Sequence, residues 1–434
     1  MGMLSPLRLI TFFTLLSASL IHALPTAEGF NHATTNRISP LARRSVSVDL
    51  TPNPDYSPNG PAVYARALQK WGAEVPRSLT KSLAAMRSAV GEVAAFSVRN
   101  DREYLSRVGF GTPLQWLDMD LDTGSSDVWV YSSEMRKSVA GDRPVWVIED
   151  SETAKKVGNA TWTIAYGDGS RAWGNVYTDT LCLGTITLAN ATIESAVSAS
   201  LSLTFDLDLD GIFGLAYNLP SQTFPQQPTV LSQLLPHLAA PLFTADLRWH
   251  SAQGAYTFGY IDRSRHNPDT PILYTPLVPN ATFWQVPFTG VHVGGDEKWY
   301  LANFSGIVDT GTSLLLLSRD IATLYYGAVP GAQQNWTVGG LWTYPCDNGG
   351  RGALPDFEIG FGSGFVATIP GRYMNYTMMP DDPDTCMGGL QEWEYESFGI
   401  LGDVFLKAVY AVFDVGNGRV GFGEKVGLED ESGE

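Results

Sequence analysis

Leu121-Asp122-Thr123-Gly124-Ser125-Ser126 recurs further along the chain as Val308-Asp309-Thr310-Gly311-Thr312-Ser313. Apolar residues precede both copies. Downstream of each, an apolar pair runs into glycine, Ile212-Phe213-Gly214 and Ile400-Leu401-Gly402, at Asp-to-Gly separations of 92 and 93 residues. One such tripeptide arises by chance in roughly a tenth of chains this long, and two with matched companions in far fewer. The sequence is therefore a duplicated unit with two similar halves. Around it, branched and alternating apolar runs at 162–166, 176–183, 256–261 and 409–413 are bounded by Gly, Asp, Asn and Pro, which predicts a body made mainly of β-strands.

The repeated residue is a carboxylate, and burying one is unfavourable unless it is hydrogen-bonded. An Asp placed in the turn after an apolar strand has a Thr that can donate and a Gly that lets backbone or ligand come close. Two such turns facing each other across a pseudo-twofold axis bring two carboxyls to one water. Like charges that close do not both ionise easily, so the pair holds one proton, as carboxyl dyads are known to do. One member can then act as base on the water while the other protonates a carbonyl oxygen or a leaving amine.

The chain has 434 residues, 44% of them hydrophobic, with 44 Gly, 26 Pro, three Cys and a net charge of −17. The length suits more than one domain-sized unit, and three cysteines exclude a disulfide-dense scaffold. The acidity argues against nucleic acid or an anionic membrane as partner. Charge is unevenly placed, because residues 1–94 carry nine basic and five acidic side chains. The remaining 19 basic and 40 acidic residues give 95–434 a net charge of −21.

At the N-terminus Arg8 precedes an apolar run from 9 to 23 that ends Ile21-His22-Ala23, the pattern of a secretory signal peptide over 1–23. Six Asn-x-Ser/Thr sequons follow, at Asn159, Asn190, Asn280, Asn303, Asn335 and Asn375, candidate glycosylation sites in an exported chain. Residues 24–94 have a Pro/Asn patch at 51–54 and helical composition around 61–71 and 78–90. The acidic C-terminus is no hydrophobic anchor signal.

Taken in order, the motifs resemble those of pepsin-type (family A1) aspartic endopeptidases, in particular the fungal secreted, aspergillopepsin- and penicillopepsin-like branch. The match runs through nearly all of 101–426: Gly111-Thr112-Pro113, the two Asp-Thr-Gly segments with Asp127-Val128-Trp129-Val130 after the first, Tyr166-Gly167-Asp168-Gly169-Ser170, Asp210-Gly211 through Tyr217, Phe258-Gly259-Tyr260-Ile261-Asp262, and Ile400 through Leu406. The resemblance implies an all-β, bilobal fold with the active-site cleft between two pseudo-twofold-related lobes. It implies a signal peptide at 1–23 and a propeptide at 24–94 ending within 90–100. An N-terminal lobe would cover 95–275, with a flap at 162–177, and a C-terminal lobe 276–434.

By the same resemblance, Asp122 and Asp309 form the catalytic dyad, Thr123 and Thr310 lock the two loops, and Ser125 and Thr312 support the carboxylates beside Gly124 and Gly311. Tyr166 closes over substrate and reaches toward Trp129, with Gly167, Asp168 and Ser170 at the flap tip. Read from the residues alone, 167–170 is a mobile hairpin tip. An acid at position 168 is associated in relatives with accepting Lys before the scissile bond, and a solvated turn Asp is an equal reading. Lys70 in Leu68-Gln69-Lys70-Trp71-Gly72 resembles the propeptide lysine that plugs the dyad, although the following residue is Trp71 where Tyr is usual. Cys346 and Cys386 stand where the family has its C-terminal-lobe disulfide. Cys182 is read as a buried free thiol. Arg43-Arg44 is either a dibasic processing cut or a plain charge pair.

Two motifs are set aside. Gly416-Asn417-Gly418-Arg419-Val420-Gly421 fits a dinucleotide fingerprint, but the 13 residues after it leave no room for a βαβ unit, and Asn-Gly there reads as a hairpin turn. Asp206 to Asp210 opens like a calcium loop whose twelfth position is Tyr217 rather than Glu. The expectation is a secreted, acid-active endopeptidase made as a zymogen, without metal or organic cofactor and without a membrane anchor. It would be monomeric, act on polypeptides and bind pepstatin-like inhibitors. The rivals are a catalytically silent binding relative and a vacuolar protease of the same family.

Overall fold

The structure is a computed structural model. It describes residues 43–52, 59–79, 104–165, 171–200, 209–249, 254–296, 298–346, 354–393 and 398–427. The leader at 1–23, the flap tip 166–170, the start of the calcium-like segment (206–208) and nearly all of the helical stretch at 78–90 lie outside those residues.

The body is two β lobes joined by a shared sheet. The first half builds a nine-stranded sheet, and the second half a seven-stranded sheet with a separate four-stranded one. A six-stranded sheet draws on both halves: Leu242–Asp246, Ala255–Phe258 and Leu273–Pro276 pair into one surface with Tyr410–Asp414 and Arg419–Gly423. The last two form the hairpin that Asn417-Gly418 announces, with Gly418 in the left-handed region at φ 59°.

The sequence signals account for these elements. Along Lys155–Ala165, Asn159, Thr161 and Thr163 are exposed while Ala160 and Trp162 are buried, the period-two alternation of a half-buried strand. Tyr410–Asp414 is buried throughout because it runs through the middle of the shared sheet.

The segment 43–79 carries the helix expected around 61–71 and a strand that was not. Helix α1 forms at Gly60–Lys70, capped by the Asn59 side chain accepting from the Ala62 N–H (3.2 Å) and started by Pro61. The strand Val46–Asp49 ahead of it was not foreseen. It joins the edge of the six-stranded sheet beside Ala255–Phe258. Ser45-Val46-Ser47-Val48-Asp49 does alternate, and Val46 and Val48 point into the core, but so short a run looks like loop in isolation.

Cys346 and Cys386 are bonded, with Cα atoms 5.2 Å apart, where Leu341–Pro345 pairs with Asp382–Gly388. Cys182 is buried and free. The bridge closes a loop of 40 residues, and loop-closure entropy puts its contribution at about 4 kcal/mol. Replacing both cysteines with Ser is expected to lower the thermal midpoint by about 10 °C. Calorimetry on the oxidised wild type and the double variant checks this, and an unchanged midpoint would contradict it.

Candidate active site

Each Asp-Thr-Gly turn is held by the same three-strand device. Gln115–Asp122 runs parallel to Gly211–Gly214, which pairs antiparallel with Val128–Tyr131. In the second half, Tyr300–Val308 runs parallel to Phe398–Leu401, which pairs antiparallel with Leu315–Ser318. The apolar pairs that end in glycine are thus the strands lying beside the two Asp residues. Their glycines are required by close approach, since a Cβ on Gly402 would overlap the Thr312 carbonyl.

The two turns meet. Thr123 N–H donates to Thr310 Oγ1 (3.1 Å) and Thr310 N–H donates to Thr123 Oγ1 (3.0 Å). Each hydroxyl then donates across to the other half, Thr123 Oγ1 to the Val308 carbonyl (2.8 Å) and Thr310 Oγ1 to the Leu121 carbonyl (2.5 Å). This reciprocal grip presents Asp122 and Asp309 to each other, both almost fully buried. Asp122 accepts from Gly124 N–H (2.7 Å) and Ser125 Oγ (2.6 Å), and Asp309 from Gly311 N–H (3.1 Å) and the Thr312 hydroxyl. A Cβ on Gly124 would stand 2.5 Å from Asp309 Oδ1, so only glycine leaves room for the second carboxyl.

Lys70, the last residue of α1, enters between them. Its ammonium donates to Asp122 Oδ1 (2.8 Å) and to both oxygens of Asp309 (2.9 and 3.0 Å). The next residue holds the position: Trp71 Nε1 donates to Thr312 Oγ1 (3.2 Å), and its ring meets Phe283 edge-on at 5.2 Å. Tyr64, on the same helix, donates to the Glu392 carbonyl (3.0 Å). The cleft around the segment, about 760 Å³, is lined also by Trp129, Ile164 and Ile212. Trp129 is buried and stacks on Trp162 at 6.0 Å. Its relation to Tyr166, and the placement of Gly167, Asp168 and Ser170, lie outside the described residues.

The electrostatics separate the two carboxyls. Burial pushes Asp309 up to about 6; the Lys70 ammonium opposes this and the Asp122 charge adds to it. Burial also pulls Asp122 upward, but the Lys70 charge, with hydrogen bonds from Asp309, Lys70 and Ser125, outweighs it and holds Asp122 below the usual carboxylate range. For Lys70, burial works against the charged form and the two carboxylates overcome it, leaving the ammonium raised. Two carboxyls with one proton between them titrate as a unit, and this pair can give and take a proton in the acidic range.

The sequence did not single out several residues the geometry brings in. Trp71 was noted only as an unusual neighbour of Lys70, and its hydrogen bond to Thr312 requires the tertiary fold. Tyr256, fully buried on Ala255–Phe258, donates to the Leu121 carbonyl (3.3 Å), the same oxygen that Thr310 uses. Glu194 and Asp127 form a second carboxyl pair beneath the first Asp loop, both nearly fully buried. A lone acid in the apolar run Ile193-Glu194-Ser195-Ala196 was the signal available for it.

Burial, with the Asp127 charge next, pushes Glu194 well above the ordinary range. A carboxyl raised on folding stabilises the fold below its unfolded value, near 4.5, and that contribution is lost as pH rises through the folded value. Glu194→Gln removes the ionisation. The variant is expected to melt about 2–4 °C higher than wild type at pH 7 and within a degree or so of it at pH 4. Melting curves at the two pH values check this, and equal shifts at both would contradict it.

The other expected site residues are spread over the surface. Asn159, Asn190 and Asn280 are exposed, whereas Asn335 and Asn375 are half-buried and accept hydrogen bonds from Thr337 and Tyr344. Asn303 lies on Tyr300–Val308, and its side chain is outside the description. Among the described residues no cluster of His, Cys, Asp or Glu could hold a metal ion, and no helix is long and apolar enough to cross a membrane.

Sequence comparison agrees with this geometry. The family model described as eukaryotic aspartyl protease matches residues 103–425. The chain is 37% identical over 412 residues to aspergillopepsin-1 of Aspergillus flavus, covering 93% of this chain and 96% of that protein. It is 37% identical to endothiapepsin of Cryphonectria parasitica over 369 residues and to penicillopepsin-3 of Penicillium janthinellum over 360, in each case covering 83% of this chain and 86% of the relative.

Proposed function

The chain belongs to the eukaryotic aspartyl protease family and is an aspartic endopeptidase acting on polypeptides, and from that premise we propose that it is made as a secreted, acid-activated zymogen with Asp122 and Asp309 as its catalytic pair. The observation that carries this reading is the Lys70 ammonium seated on both carboxyls, where a substrate's scissile bond would have to lie.

In the freed enzyme, the ionised member of the pair takes a proton from a water that attacks the scissile carbonyl carbon. The protonated member gives its proton to the carbonyl oxygen. A proton returned to the amide nitrogen then lets the tetrahedral adduct break into acid and amine. Thr123 and Thr310 fix the two loops, Gly124 and Gly311 keep the space clear, and Ser125 and Thr312 orient the carboxyls. Tyr166, with Gly167, Asp168 and Ser170, forms the flap that works against Trp129. Subsite preference is for hydrophobic residues before the scissile bond, with Asp168 adding Lys.

Residues 1–23 are the address and 24–94 the inhibitory segment. The mature enzyme is a monomer with lobes at 95–275 and 276–434, and the precursor stays closed to pepstatin-like ligands until Lys70 leaves. Acid supplies the release. Asp122 is held low while Lys70 is bound, so the contribution of that contact is present above the unfolded value near 3.8 and is lost as pH falls. Lys70 itself stays charged throughout.

Expression with the chain's own leader in a eukaryotic secretory host tests the reading. Precursor is expected in the medium, shortened at acid pH to a product beginning between residues 90 and 100. Retention inside the cell, or an unshortened chain that is already fully active at neutral pH, would contradict it.

A further inference from the structure

The outer face of the hairpin formed by Lys155–Ala165 and Arg171–Leu183, toward its tip, carries exposed aromatic side chains that the protease reading does not use. Phe224 is 80% exposed and Trp173 is 43% exposed, and large aromatic rings so presented mark a surface made to be covered. Strand register places both beside one sequon. Phe224 sits directly opposite Thr161, the hydroxyl residue of Asn159-Ala160-Thr161, while on the other flank Trp173 sits opposite Thr163. Ala160 and Trp162 are buried, whereas Asn159, Thr161 and Thr163 are exposed. Asn159 lies two residues before Thr161 on the same strand, where the register shifts between Lys156 and Thr161, and so close along the chain to the residue that faces Phe224.

We propose that Asn159 carries an N-linked oligosaccharide whose first sugars lie against Phe224 and cover this aromatic face. The inference rests on the proposed export, since the donor is a lipid diphosphate-linked oligosaccharide met on the secretory route. In the transfer, Asn159 Nδ2 forms a bond to the sugar's anomeric carbon as the bond from that carbon to the diphosphate oxygen breaks. The amide loses one proton, and the lipid diphosphate leaves with the bonding electron pair. The apolar face of a pyranose ring then packs on the phenyl ring, as flat apolar groups pack on aromatics. Asn335 and Asn375 are poorer acceptors in the folded chain, because their side chains are engaged with Thr337 and Tyr344.

The test uses full-length protein collected from the medium of a eukaryotic host. Glycosidase treatment in heavy-oxygen water, followed by peptide mass analysis, is expected to show the Asn159 peptide converted to labelled Asp. On the folded protein, release of this sugar is expected to be on the order of fivefold faster in Phe224→Ala than in wild type, the effect of losing one aromatic contact. Thr161→Ala removes the sugar and is expected to increase retention on a hydrophobic-interaction column, and adding Phe224→Ala to it reverses that increase. Exported protein with Asn159 unmodified overturns the inference and leaves the zymogen reading intact. Equal release rates in wild type and Phe224→Ala overturn the packing against Phe224. A chain that never enters the secretory route overturns both the export reading and this one.

Discussion

Asp122→Asn in the processed enzyme is expected to lower kcat on a peptide substrate by at least about three orders of magnitude, the scale of a lost general acid–base pair, with KM nearly unchanged. Asn keeps the volume of Asp; its oxygen can still accept from Gly124 N–H, while its amide nitrogen, standing where Asp122 Oδ2 accepts from Ser125 Oγ, can donate to that hydroxyl instead, so the loop should stay in place. What it cannot do is share a proton with Asp309. The buried pair depends on one ionised and one protonated member, and an amide can be neither base nor acid in this range. The substitution also relieves a buried like-charge pair, so the melting temperature should hold or rise. Loss of activity with a stable fold separates chemistry from misfolding. Asp309→Asn should behave alike, and full activity in either variant would dismiss the dyad.

The second large effect is expected at Lys70. In the precursor Lys70→Met keeps the length of the side chain and removes the charge. Asp122 and Asp309 then face each other without a cation, and breaking a buried ion pair on one side costs about 3–5 kcal/mol. The hold of the segment on the cleft should weaken by about two to three orders of magnitude. Trp71, through Thr312 and Phe283, would keep part of it. The expected result is a precursor that shortens itself at higher pH than wild type and binds pepstatin near neutrality. A variant as latent as the wild type would show that helix α1 is held by packing alone.

These effects could be foreseen to different degrees from the sequence. The pair Asp122 and Asp309 was legible because duplication repeats their turns with matched glycine-ending companions, and the fold uses those companions as the strands flanking each Asp. Lys70 could be named only through family resemblance, since a lone Lys ending a helix carries no signal of its own. Val46–Asp49 was missed because four alternating residues do not outweigh a leader of helical texture, and its strand exists only where Ala255–Phe258 offers an edge. Trp71, Tyr256 and the Glu194–Asp127 pair depend on which residues the lobes bring together. Periodicity cannot report that.

The central claim is that a proton-sharing carboxyl pair, closed by Lys70 and opened by acid, hydrolyses peptide bonds. It is tested most directly by acidifying the purified precursor and following peptide cleavage with and without pepstatin. Activity should appear as the pH falls below about 4, near the unfolded carboxylate value, and one equivalent of pepstatin should abolish it. Cleavage that persists in the presence of pepstatin would contradict the claim.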